Sequence, residues 1–166
     1  MGQTRQGRTR AARLAAGLGA VTAATVLAWA LGVSGHCQIP CGIYNDPVRF
    51  TLLAEHAATI EKSMKQIAEL SKHPGEHANQ LVRWVANKEH HADEFAGIVT
   101  YYFLQQRIKP AAGPGKPGWD GYVRKLTLCH GMLVEAMKCK QTTDLAHVQR
   151  LRALLADFQK AYAPGK

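Results

Sequence analysis

The sequence predicts an all-α fold, an antiparallel up-down four-helix bundle preceded by an irregular N-terminal segment. Three observations lead there. Apolar residues recur at alternating spacings of three and four along four separate stretches, Gly and Pro gather at the breaks between them, and no run alternates apolar and polar residues as a strand would. Each stretch alone would leave an apolar face in water, so four of them, joined by two short turns and one longer loop, bury those faces by packing together.

Asp46-Pro47 starts the first helix, with the acid as expected N-cap and the proline at the first helical position, where its missing N–H costs nothing. Leu53, Ala57, Ile60, Met64 and Ile67 form its stripe, and Ser71-Lys72-His73-Pro74-Gly75 ends it. A second helix is predicted over 76–108, on the stripe Leu81, Trp84, Val85, Ala92, Phe95, Val99 and Tyr102. The Pro- and Gly-rich stretch 109–118 cannot continue a helix and reads as the one substantial loop. A third helix over 119–140 carries Tyr122, Leu126, Cys129, Leu133 and Ala136, which places the Cys129 thiol among apolar neighbours as an inert core group. Thr142-Thr143-Asp144 offers cap oxygens to a fourth helix, whose stripe is Val148, Leu151, Leu155, Phe158 and Tyr162 before Pro164-Gly165.

Residues 1–35 read differently from the rest. Arg5, Arg8, Arg10 and Arg13 stand without an acid, an apolar and small-residue run follows to Val33, and Ser34-Gly35 offers a small-residue cleavage site. The chain is therefore expected to be exported, to a periplasmic or extracellular location, with cleavage between Gly35 and His36. The competing reading is a retained membrane anchor, since the run from Leu14 to Val33 is near the length that spans a bilayer. Its richness in Ala, Gly and Thr favours cleavage, and no stable membrane anchoring is then expected.

The expected organisation is thus a leader at 1–35, a short hook at 36–46 and the bundle at 47–166. Losing the four leader arginines lowers the formal charge from +9 to +5. The remaining cations are interspersed with acids along the helices, a pattern of solvated faces and not of a phosphate-binding stripe, so no nucleic acid partner is expected. Cys129 and Cys139 lie ten residues apart on one predicted helix, about 15 Å along its axis, too far for a disulfide.

The hook concentrates the chemistry. Within His36-Cys37-Gln38-Ile39-Pro40-Cys41-Gly42-Ile43-Tyr44 are two thiols, an imidazole, and a proline and glycine that let the chain curl back on itself. Cleavage after Gly35 would add a primary amine at His36. Amine, backbone nitrogen and two thiolates then lie within six residues, and such an N2S2 set enforces square-planar coordination. That geometry suits Ni(II) or Cu(II) and disfavours tetrahedral Zn(II).

His-Cys-x-x-Pro-Cys-Gly-x-Tyr at a processed amino terminus, ahead of a four-helix bundle, resembles the nickel superoxide dismutase family. All six fixed positions are present as His36, Cys37, Pro40, Cys41, Gly42 and Tyr44, and a looser similarity extends to about Tyr162. The resemblance implies one nickel ion per subunit, held by His36, Cys37 and Cys41, with the His36 imidazole as axial ligand. It implies conversion of superoxide to oxygen and hydrogen peroxide by Ni(II)/Ni(III) cycling, an antioxidant activity, in a homohexamer whose hooks are each covered by a neighbour.

By the same resemblance Tyr44 serves the reaction by positioning superoxide or ordered water, and Tyr102 is either a second family tyrosine near the channel or a core-packing residue. Two departures stand out. Gln38 occupies a position where better-known members carry an acid. The family's supporting glutamate and arginine have as nearest counterparts Glu55 and His91, and Asn45 to Pro47 is one residue longer than the common pattern.

Other readings fit less well. The remaining histidines lack the paired Glu-x-x-His spacing of a di-iron bundle and read as surface or partly buried polar groups. A thiol oxidoreductase would place Cys-x-x-Cys at a helix N-terminus, whereas three residues separate Cys37 from Cys41 and the helix starts later. A nickel or copper carrier would use the same donors, but would have no need of Tyr44.

Overall fold

The structure, a computed structural model, describes residues 44–162. The leader and the hook residues His36, Cys37 and Cys41 lie outside the described residues. Four helices and no strand are present among those described: α1 (Asp46–Leu70), α2 (Pro74–Gly97), α3 (Trp119–Gln141) and α4 (Leu145–Tyr162). Beyond Gly97 the chain continues without a break as a π-helical segment, Ile98–Arg107. Each helix packs chiefly on two neighbours, α1 on α2 and α4, and α3 on α2 and α4, which is the ring of an up-down bundle.

The predicted stripe of α1 is buried at all five positions. On α4, Val148, Leu151, Leu155 and Phe158 are buried and Tyr162 closes the stripe half-buried. On α3, Cys129 and Ala136 are joined in the core by Met132 and Cys139, while Tyr122, Leu126 and Leu133 are half-buried against it. Both thiols are free, and burial pushes Cys129 up to about 12 and Cys139 up to about 11. They are protonated core groups, as expected of Cys129, and Cys139 joins it.

Three boundaries differ from the sequence reading. Asn45, not Asp46, caps α1: its Oδ1 accepts from the Val48 N–H at 3.0 Å, and Pro47 still falls in the first turn. The second helix begins at Pro74 and gives way to π geometry at Ile98, a change that apolar spacing does not announce. Val85 is 42 % exposed, because Trp84 and Val85 lie about 100° apart around the axis and cannot share one stripe. At the α3–α4 turn the expected cap is present, with Asp144 Oδ1 accepting from Ala146 N–H at 2.9 Å.

Two buried charges close the end where α3 hands over to α4. Lys88, 4 % exposed, sends its Nζ to the carbonyl of Cys139 at 2.8 Å and also to that of Lys140, satisfying carbonyls that the end of α3 leaves without intrahelical partners. Glu135, also 4 % exposed, is met by His147 at 2.8 Å and Lys138 at 3.2 Å. Burial alone would raise its carboxyl, but these hydrogen bonds outweigh it and hold the group below its ordinary range.

The opposite end is closed by aromatic rings. Phe103, fully buried, stands 4.9 Å from Phe50, 5.0 Å from Phe158 and 5.3 Å from Tyr162, centroid to centroid, tying α1, the π-helical segment and α4 together. Phe103→Ala is expected to cost about 3–5 kcal/mol in urea unfolding of the full chain, whereas Val82→Ala, at a 69 % exposed site, should stay within about 0.5 kcal/mol. Equal effects of the two would contradict this packing.

Candidate metal centre

Tyr44 is the first described residue and stands two positions before the start of α1. Its ring is covered by the Arg49 guanidinium, 4.1 Å from the centroid, one turn into α1. Tyr102, on the π-helical segment, is 3 % exposed and reaches the same place, its hydroxyl 3.4 Å from the Tyr44 carbonyl oxygen. The core-packing reading of Tyr102 therefore holds for its ring, while its hydroxyl meets the start of α1.

That hydroxyl donates to Asp46 Oδ1 at 2.6 Å. Asp46 Oδ2 accepts from Arg107 Nη2 at 2.8 Å and from the Tyr162 hydroxyl at 3.0 Å, and Arg107 Nε donates to that hydroxyl at 3.2 Å. One carboxylate thus joins the start of α1, the π-helical segment and the end of α4. Burial would raise its pKa, but hydrogen bonds from Arg107, Tyr102 and Tyr162 prevail and lower it. Burial and the bond to Asp46 push Tyr102 up to about 12, so its proton stays on the phenol and points at Asp46.

The π turn makes this junction possible. In an α-helix, residues five apart lie about 140° apart around the axis. Hydrogen bonds closing from residue to residue five positions on, as Ile108 N–H to Phe103 carbonyl at 2.9 Å, bring such pairs onto one face. Tyr102 and Arg107 are five apart and hold the two oxygens of the same carboxylate.

A cleft of about 400 Å³ opens beside these groups, walled by Tyr44, Arg49, Tyr101, Tyr102, Asp93 and Glu94. Asp93 is paired with Lys140 at 2.7 Å. Further along the α1–α2 seam, His56 and His91 face each other with Nδ1 atoms 2.8 Å apart. Burial, then the neighbouring imidazole charge, lowers both pKa values. The partner of His91 on α1 is thus His56, whereas Glu55 is exposed. No group of three or more His, Cys, Asp or Glu able to hold a metal occurs among the described residues, and the other histidines are exposed or half-buried as expected.

A family model for nickel-containing superoxide dismutase matches residues 31–166, which includes the whole hook and the whole bundle. The chain belongs to this family. It is a nickel-dependent superoxide dismutase, an oxidoreductase whose cofactor is nickel. No curated protein and no solved structure matched the chain.

For this superoxide dismutase the sequence pointed to Tyr44 and Tyr102 but not to Asp46 as the junction of Tyr102, Arg107 and Tyr162, nor to Arg49 as the cover on Tyr44. The one available signal was the Asp-Pro pair, which reads as an ordinary helix start. Replacing Asp46 with Asn keeps the shape but turns amide hydrogens toward Arg107 and Tyr162, at an expected cost of about 1–3 kcal/mol at neutral pH. Because folding lowers the Asp46 pKa, its contribution is complete above the ordinary carboxylate value of about 4 and is lost as pH falls through the lower folded value. Parent and D46N denaturation curves should accordingly converge in acid, and a gap unchanged from pH 7 to pH 3 would contradict the role given to this carboxylate.

Proposed function

We propose that the leader is removed after Gly35, that the mature chain acts outside the cytoplasm, and that the new amine of His36 is itself a metal ligand. The His36 amine and imidazole, the Cys37 backbone nitrogen and thiolate and the Cys41 thiolate would hold the nickel. The donor chemistry fits: anionic sulfur and amide nitrogen favour a square-planar d8 ion and stabilise its oxidised form. Bound there, nickel supplies the one-electron Ni(II)/Ni(III) couple by which superoxide is turned into oxygen and peroxide.

The observation that carries this reading is the family match across residues 31–166, because it takes in His36, Cys37 and Cys41 together with the bundle. The described cysteines support it from the other side. Cys129 and Cys139 are buried and protonated, which leaves Cys37 and Cys41 as the thiols suited to a metal. Tyr44, beside Arg49 on the wall of the cleft, would position superoxide or ordered water at the metal's open side.

A homohexamer belongs to the same proposal, since a short irregular hook cannot bury itself and gains shelter from a neighbouring bundle. The purified mature protein is expected to begin at His36, to hold one nickel per chain, to consume superoxide, and to lose both nickel and activity in Cys41→Ser. A different terminus, or full activity in C41S, would overturn the ligand assignment. Sedimentation showing a fully active monomer would overturn the hexamer.

A further inference from the structure

Among the described residues, Arg49 is the one cationic side chain on the wall of the cleft, and its Nε is buried there without a hydrogen-bond acceptor. A buried guanidinium N–H left unpaired is costly, so a partner is expected. The neighbouring aromatic groups do not supply one. The Tyr44 ring offers its face to the guanidinium, and the Tyr102 ring lies 5.8 Å away.

The other charged walls are Asp93 and Glu94, which repel an anion. Lys140 offsets Asp93 at 2.7 Å, and Arg49 stands against Glu94 in the balance of the cleft. Tyr102 cannot donate into the cleft, because its proton is held by Asp46 at 2.6 Å. An anion entering beside Tyr44 therefore has the Arg49 guanidinium as its cationic donor.

We infer that Arg49 is the residue that receives the superoxide anion in the Tyr44 cleft, drawing it in by charge and hydrogen-bonding it beside the tyrosine. The inference rests on Tyr44 standing next to the metal, as proposed above. It assigns substrate capture to α1 and not to the hook, and it makes Glu94 the opposing charge that limits capture.

The test uses nickel-loaded mature protein and follows kcat/KM for superoxide by pulse radiolysis across ionic strength. Focused charge in a cleft raises association rates about 10- to 1,000-fold, with strong dependence on salt. Arg49→Gln is expected to keep its nickel content and electron paramagnetic resonance signal while losing about tenfold in kcat/KM at low salt, a loss that shrinks as salt rises. Arg49→Lys, which keeps the charge, should recover most of it, and Glu94→Gln should move kcat/KM in the opposite direction.

An R49Q variant with unchanged kcat/KM, or with a loss indifferent to salt, would overturn the inference. So would an R49Q variant that fails to load nickel, since that would make Arg49 an anchor for the hook. Parent protein that loads nickel and consumes no superoxide would instead defeat the family activity itself, a separate outcome from any of these.

Discussion

The Asp46 carboxylate is the interaction on which the Tyr44 end of this bundle depends. It receives a phenol from the π-helical segment, a guanidinium from the same segment and a second phenol from the last turn of α4. Hydrogen bonds to an ionised acceptor are about twice as strong as neutral ones, and here three converge on one group that is only partly exposed. The position of Tyr44, two residues earlier, follows from where that group is pinned. So does the placement of Arg49, less than one turn further on, over the Tyr44 ring.

The π-helical segment is what allows a single carboxylate to hold two residues five apart. Such geometry gives poorer backbone hydrogen bonding than an α-helix and persists where side-chain interactions favour it. Here the return is visible on both sides of the segment. Tyr102 and Arg107 face Asp46, while Phe103 turns inward to the ring cluster with Phe50, Phe158 and Tyr162. Polar anchoring and core packing are therefore set by the same irregular turn, and neither could be moved without disturbing the other.

This also decides what could be read from the sequence. The stripe of α1 was legible because all five of its residues face one side at α-helical spacing, and burial rewards that spacing alone. Val85 was misplaced because a period carried across thirty residues admits neighbours that point apart. Asp46 was the expected cap of the first helix, but Asn45 caps it, because partners more than fifty residues away hold the aspartate's oxygens. Tyr44 stands out in the sequence because it belongs to a contiguous motif. Arg49 and Asp46 do not, because their contacts join Tyr44, α1, the π-helical segment and α4 across the fold.

The same distinction separates the two kinds of support the bundle offers. At the Asp46 junction the partners are permanently charged or phenolic groups, and the contact persists through the neutral range. At the His56–His91 contact, by contrast, two imidazoles share one hydrogen bond, which requires that one Nδ1 carry the proton and the other accept it. Burial lowers both pKa values, so the neutral, hydrogen-bonded state is favoured at neutral pH and gives way to repulsion when both rings protonate in acid. His91 is therefore held to α1 by a neutral contact with His56. The α1–α2 seam has a fixed electrostatic anchor at its Tyr44 end and a proton-dependent one further in, and the cleft carrying Arg49 opens beside the fixed end.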